Sequence, residues 1–245
     1  MARLESQLDA VVAGPTMKAD DVRNIGLLQG LDPDTLERVA GLMHVRVFER
    51  SQWVLRKDER GDQLMFVLSG LLQVLTSTYN GSHLVLRILR PGEHFGELSV
   101  IDQLPRSTSV QALETSLVAN LAQVHALELF YQQPLVAERV LKRLAHGLRE
   151  ATRMRTILAL PHAAQRICAV LAHLSHLAPG GLAVVDPLPR QADLAAMSNT
   201  SRETVSRVLQ ELTQQQVIQK DRRRLIVRNP VVLSQALLGQ AQNID

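Results

Sequence analysis

Four polar residues, Arg202, Glu203, Ser206 and Arg207, stand at i, i+1, i+4 and i+5 within RQADLAAMSNTSRETVSRV, residues 190–208. On a helix this spacing makes a single stripe with the chemistry of a base-edge reader. An Arg fork matches guanine O6 and N7, and a carboxylate accepts from cytosine N4. The other side of the same helix carries Val205, Val208, Leu209 and Leu212 at i, i+3, i+4 and i+7, an apolar face that needs a partner. Leu194, Ala195 and Met197 supply one on a shorter helix upstream. The joint needs a left-handed backbone residue, for which Asn199 is the natural candidate. The second helix then starts at Thr200 or Ser201 with its N-terminus free to face phosphate. The arrangement reads as a helix-turn-helix for duplex DNA. The same residues admit a plainer account: Thr200 and Glu203 spell a capping box, and charges outside an amphipathic helix are ordinarily just solvated.

The second chemically loaded segment is PGEHFGELSVIDQLPRSTSV, residues 91–110. It combines glycine turns, an acid at Glu97, and Arg106 beside the hydroxyls of Ser107 and Thr108. Such a set receives a phosphorylated nucleotide if Arg106 meets the phosphate, Ser107 donates to it, Glu97 accepts from a ribose hydroxyl and Gly96 lets the backbone approach. The spacing is equally compatible with an internal salt bridge between Arg106 and Glu97.

These residues need elements to position them. From Val45 to about Ala122 the chain is a series of short β runs (VRVF, QWVLR, LMFVLSG, LLQVL, HLVLRIL, SVQAL, SLVANL) punctuated by Ser69-Gly70, Asn80-Gly81 and Pro91-Gly92, the texture of a small barrel or roll. Asp32-Pro33 ahead of Leu36, Val39, Ala40 and Met43 reads as an N-capped helix. Residues 1–20 have no sustained period, and residues 1–24 are assigned as an extension without function. After the roll, spanning 25–124, one long helix is expected over 125–160. Ala137, Leu141, Leu144, Leu148, Ala151, Arg155 and Leu158 alternate steps of four and three, a heptad seam interrupted only by Arg155. Two chains pair along such a seam, unless the stripe packs on its own β domain. Pro161 ends that helix and marks a hinge into a further helix over 163–177, opening a C-terminal domain over 161–245. There a short LAVV strand precedes the two helices, and VIQKDRRRLIVRN follows as a β-hairpin whose tip, Asp221 to Arg224, presents three arginines. Arg222 there is a candidate phosphate contact of a wing; a solvated tip is the alternative.

Charge is unevenly distributed. Residues 1–138 carry 12 Lys+Arg against 17 Asp+Glu, whereas residues 139–245 carry 15 against 7. The basic half holds the two helices and the hairpin, which favours phosphate contact and steering. No apolar run approaches the roughly 18 residues of a membrane span, and the N-terminus has no secretory core, so the chain is expected in the cytoplasm without a membrane partner. The one cysteine, Cys168, excludes an intramolecular disulfide and an iron-sulfur cluster held by one chain, and its neighbours Ile167, Val170 and Leu171 make it a core residue. The histidines include His83, His94, His146 and the i, i+3 pair His173 and His176. Two imidazoles without a third ligand are ordinarily packing or surface residues, so neither metal nor haem is expected. No GxSxG elbow, phosphate-binding loop followed by Lys, or HExxH is present, and Glu97, Arg106 and Ser107 contain no nucleophile-base pair, so the chain is not read as an enzyme.

Taken together, FGEL, PRS and TSRETVSRVL, in this order, resemble the Crp/Fnr superfamily, the relatives of the cyclic AMP receptor protein, over roughly residues 25–230. The resemblance implies an α+β protein: an N-terminal β-roll of cyclic-nucleotide-binding type, a long dimerisation helix and a C-terminal winged helix-turn-helix. It implies that Gly96, Glu97, Leu98, Arg106 and Ser107, with Thr108 beside them, bind a purine cyclic nucleotide, most simply cAMP, as allosteric ligand. Where relatives place two neighbouring hydroxyls toward the adenine, this chain has Ala151-Thr152, which leaves only Thr152 and keeps cyclic di-GMP or a constitutive, non-sensing roll open. It further implies that Arg202, Glu203 and Arg207, with Ser201 and Ser206 on the same helix, read a palindromic TGTGA-like site, that Arg190 and Gln191 meet phosphates, and that the protein is a homodimer through Leu141, Leu144, Leu148, Ala151 and Leu158 with RNA polymerase as a partner. The iron-sulfur branch of the family is excluded by cysteine count.

Overall fold

The computed structural model describes residues 17–77, 83–222 and 224–237. The predicted Asn80-Gly81 turn, the middle arginine of the hairpin tip (Arg223) and most of the N-terminal extension lie outside them. The chain divides into two compact units within its longest helix, Met1–Ala145 and His146–Asp245.

The first unit opens with α1 (Ala19–Val22) and α2 (Pro33–Gly41). Asp32 caps α2 by accepting from the Thr35 N–H at 2.9 Å, with Pro33 at the first helical position. Eight strands and a short helix follow: β1 (Met43–Phe48), β2 (Trp53–Leu55), β3 (Gln63–Ser69), β4 (Leu72–Ser77), β5 (His83–Leu89), β6 (His94–Phe95), α3 (Glu97–Asp102), β7 (Ser109–Ala112) and β8 (Ser116–Ala122). They form two antiparallel sheets, β1-β8-β3-β6 and β2-β7-β4-β5. Every predicted β run is a strand; β6 and α3 were not anticipated.

Strand β3 shows how the roll is held. Its side chains alternate between two cores: Met65 and Val67 join Phe48, Leu72, Phe95 and Val118 inside the roll, while Leu64 and Phe66 join Leu121, Leu129 and Val136 beneath the helices. A strand buried on both faces reads as an unbroken apolar run, as LMFVL does.

The helical stretch after the roll is two helices rather than the single one expected, α4 (Gln123–Gln132) and α5 (Pro134–Leu158). Gln133 between them is extended, with φ −115° and ψ 99°. The cause is local: the ring of Pro134 bars the preceding residue from the helical region, and Pro then starts a new helix well. Val136 and Val140 of α5 are buried in the N-terminal core and Leu144 packs partly against it. Leu141 is 66% exposed, Leu148 71% and Leu158 44%, and Ala151 is exposed. Packing on the chain's own β domain therefore accounts for Leu144 but not for the rest of the seam.

The second unit continues with α6 (Ala163–Leu174), β9 (His176–Leu177), β10 (Ala183–Val185), α7 (Gln191–Met197), α8 (Arg202–Gln214), β11 (Ile218–Asp221), β12 (Arg224–Val227) and α9 (Pro230–Leu237). The strands form one antiparallel sheet, β11-β12-β10-β9. Ile157 from the end of α5, Ile167 and Leu171 of α6, Leu194, Val205, Val208, Leu212 and Leu225 share its core. The helix expected to run to Leu177 stops at Leu174: Ser175 is extended and turns its hydroxyl back to the Ala172 carbonyl at 2.8 Å. His176 and Leu177 become an edge strand on β10 instead.

Candidate nucleic-acid interface and anion pocket

The turn between α7 and α8 is shaped first by local chemistry. Asn199 takes φ +46°, the left-handed conformation expected of it. Thr200 N–H donates to the Ala195 carbonyl at 2.9 Å and Asn199 N–H to the Ala196 carbonyl at 3.3 Å, the paired bonds that close a helix through a left-handed residue. The Ser198 hydroxyl donates to the Leu194 carbonyl at 2.6 Å. One residue further, Ser201 rather than Thr200 caps α8, accepting from the Thr204 N–H at 3.1 Å. The capping box read at Thr200 and Glu203 is therefore not formed, because the cap lies one position later and Glu203 falls in the first turn.

Val205, Val208 and Leu212 of α8 are buried and Leu209 is partly so, which leaves Arg202, Glu203, Ser206 and Arg207 exposed along the opposite side. The backbone N–H of Glu203 and then the Ser201 side chain hold the Glu203 carboxyl below its ordinary value, so this stripe presents two guanidiniums and a charged acceptor. Arg190 and Gln191 open α7. The Arg190 fork is engaged on Asp193, Nε to Oδ2 at 2.9 Å and Nη2 to Oδ1 at 3.2 Å, with Asp193 buried and the Arg190 side chain still 75% exposed. At the hairpin tip, Arg224 pairs with Asp221 at 2.7 Å, and Arg222 is exposed at φ +51°.

In the first unit, Arg106 is 4% exposed and forms no ion pair among the described residues. It donates Nη1 to the Gly96 carbonyl at 2.9 Å and Nη2 to the Gln63 carbonyl at 2.8 Å. Of the two readings the spacing left open, the internal Arg106 to Glu97 salt bridge is thus not the one formed. Burial pulls the guanidinium below its ordinary value, and the charges of Asp62 and then Glu97 oppose this. Gly96, at φ +82°, begins α3, and both it and the buried Gly61 abut Arg106 where a Cβ would collide with the guanidinium. Gly61 and Gln63 were not singled out in the sequence; the signal was a glycine just ahead of an apolar strand. Of the other residues expected in the set, Glu97 and Thr108 are partly buried, Leu98 is 42% exposed and Ser107 is exposed. Thr152 lies in the other unit, exposed on α5, its hydroxyl donating to the Leu148 carbonyl at 2.9 Å.

The histidines do not assemble. His173 binds Glu150 through Nε2 at 3.0 Å, while His176 is exposed on β9, so the two no longer share a helix face. His94 Nε2 is buried without a partner, His146 is exposed, and the His83 side chain is outside the described set. Among the described residues no cluster of three metal-type side chains occurs. Cys168 is fully buried, and burial pushes its thiol up to about 12. No described helix is long and apolar enough to cross a membrane.

Comparison with known proteins agrees with both halves. Residues 45–133 match the cyclic nucleotide-binding domain family and residues 165–236 the Crp-like helix-turn-helix domain family. The cyclic AMP receptor protein of Thermus thermophilus is 31% identical over 88% of this chain and 98% of its own length. A CRP-like cAMP-activated global transcriptional regulator of Mycobacterium tuberculosis is 26% identical over 75% of this chain and 84% of its own. The crystal structure of the Thermus thermophilus catabolite activator protein, 32% identical, covers 88% of this chain and 99% of its own with a TM-score of 0.52. A c-di-GMP-responsive global regulator of Xanthomonas campestris, 24% identical over 80% of this chain and 99% of its own, shares the fold with a TM-score of 0.59. With a roll that matches the cyclic nucleotide-binding domain ahead of a Crp-like helix-turn-helix, in the same order as in these relatives, the chain belongs to the Crp/Fnr family of DNA-binding transcription regulators.

Proposed function

We propose that the protein is a homodimeric regulator whose hold on DNA is set by a cyclic nucleotide, most simply cAMP, in the roll. The observation that carries the reading is Arg106: a buried guanidinium costs several kcal/mol unless an anion compensates it, and here its direct hydrogen-bond partners are two neutral carbonyls, while Asp62 and Glu97 act on it only through their charge without an ion pair among the described residues. A guanidinium has five donors, so two carbonyls leave capacity for a phosphate, with Gly96 and Gly61 keeping the backbone close. Glu97 is the acceptor for a ribose hydroxyl, and Leu98, Ser107 and Thr108 complete the ligand set of the roll. The cAMP-activated relatives support this choice of nucleotide.

Pairing of two chains along Leu141, Leu148, Ala151 and Leu158, with the part of Leu144 that its own core leaves uncovered, covers apolar surface that one chain leaves open, and sets two copies of α8 about one duplex turn, ~34 Å, apart. Such a dimer reads a palindromic TGTGA-like site through Arg202, Glu203 and Arg207, supported by Ser201 and Ser206, with Arg190, Gln191 and Arg222 as phosphate contacts. RNA polymerase is its further partner, the cytoplasm its place, and catalysis no part of its role. Nucleotide alters DNA affinity only as far as it binds the DNA-competent dimer better than the other.

A second reading is a roll that serves as a scaffold for a constitutive binder, favoured by Ala151 at a position where a hydroxyl would meet the base. Calorimetric titration with cAMP, cGMP and cyclic di-GMP, followed by DNA binding with and without whichever binds, separates them. Binding of cAMP that strengthens DNA affinity, lost in Arg106→Ala, supports the first; no binding by any of the three supports the scaffold. Arg202→Ala should cost about 1–3 kcal/mol and relax preference at one base pair.

A further inference from the structure

Among the described residues of the second unit, Arg166 on α6 is the most heavily hydrogen-bonded side chain, and its partners are all backbone carbonyls. Nε donates to Ser198 at 2.8 Å, Nη2 to Asn199 at 3.2 Å, and Nη1 to Leu160 at 2.9 Å and Pro161 at 3.1 Å. Two of these carbonyls lie just past the end of α5, at the proline hinge. The other two belong to the turn that aims α8. All four carbonyls follow the last residues of α5 and α7, so one guanidinium joins the segments by which the chain leaves both helices. No carboxylate shares it among the described residues, which leaves the whole fork to the two backbone segments.

We infer that Arg166 is a positioning residue that locks the hinge after α5 to the turn before the recognition helix, so that the two move as one body. The inference rests on the proposed reading that α8 enters DNA and that a change at the long helix must reach it. Without the staple, only the apolar packing of Ile157, Met154 and Leu160 would tie the helical end to this core, and the segment through Pro161 would reorient more freely against the turn. Only a planar fork does this: an ammonium is compact and cannot span four carbonyls from two segments. The sequence offers no sign of it, since an Arg on an amphipathic helix ordinarily points to solvent.

The test uses nitroxide labels at Arg149→Cys on α5 and Gln210→Cys on α8, both exposed and in the same unit, with the buried Cys168 left unlabelled. Pulsed electron paramagnetic resonance should give a narrow distance distribution in the otherwise wild-type chain, at least doubled in width by Arg166→Ala and by Arg166→Lys. Affinity for a specific duplex should fall at least tenfold in both variants, with little change on non-specific DNA. Should Arg166→Ala not fold, Arg166→Lys, which keeps the stem and the charge, carries the same readouts. A residue that merely stabilises the domain would lower the melting temperature and leave distance width and specificity ratio alone; that result overturns the inference. Failure of the labelled parent itself to bind duplex DNA would instead refute the DNA reading, while the distance widths still judge the staple.

Discussion

The guanidinium of Arg106 and the carbonyl of Gly96 lie 2.9 Å apart, and the φ of +82° at Gly96 turns its missing side chain toward the same group: a Cβ there would approach Arg106 Nη1 to 2.5 Å. The glycine and the arginine are thus one device, a backbone that comes close enough to hold a buried charge in place.

Gly96→Ala should accordingly do double damage. The left-handed backbone costs about 1–3 kcal/mol for a residue with a Cβ, and the displaced guanidinium should lose nucleotide binding altogether. Urea denaturation reads the first effect and calorimetric titration the second; an alanine variant with unchanged stability would contradict the geometry.

Ser201→Ala removes the hydroxyl that accepts from Thr204 N–H. Loss of about 0.5–2 kcal/mol of stability is expected for such a cap, with DNA affinity reduced as α8 frays at its reading end. Thr200→Ala should cost far less. Thermal denaturation of the two variants side by side checks which residue is the cap.

Stability should fall on mild acidification. His173 is held below its ordinary value of about 6.5, chiefly by burial, against the opposing charge of Glu150 and with the support of Arg153; His94 is lowered chiefly by burial too, with Glu97 opposing. The unfolded chain takes up these protons more readily than the folded one, so their contribution is full above about pH 6.5 and is lost as the pH drops below it. Glu150→Gln removes the charge that favours the imidazolium and should push the His173 titration lower still. Urea midpoints between pH 8 and 5.5, with proton resonance titration of His173, check both; a flat stability profile would be the contrary result.

Leu148, 71% exposed in the single chain, sits mid-seam. Leu148→Glu places two like charges across a paired interface and should convert the dimer to monomers in analytical ultracentrifugation, with at least tenfold weaker DNA binding and the fold of each unit intact by circular dichroism. An unchanged sedimentation coefficient would remove the seam as the contact.

What the sequence determined by itself was everything set by short-range rules. Alternating apolar runs gave the strands, Asp32-Pro33 gave the start of α2, the i, i+3, i+4, i+7 pattern gave the buried side of α8 and hence its exposed stripe, and Asn199 gave the turn. The break at Gln133 has an equally local cause in Pro134, although a single continuous helix was expected there. The tertiary structure alone decided where long side chains finish. Arg106 was compatible with a carboxylate or a phosphate by spacing and instead rests on the carbonyls of Gln63 and Gly96; Arg166, unremarkable in the chain, ties four carbonyls together; the α5 seam was open to two fates, and only packing revealed that Val136 and Val140 face the core while Leu141 and Leu148 stay free. The reason is reach. Backbone conformation follows from neighbours a few residues away, whereas a guanidinium on a flexible stem selects its partners from whatever the fold brings within several ångströms, and a sequence does not show that set until the chain has closed upon itself.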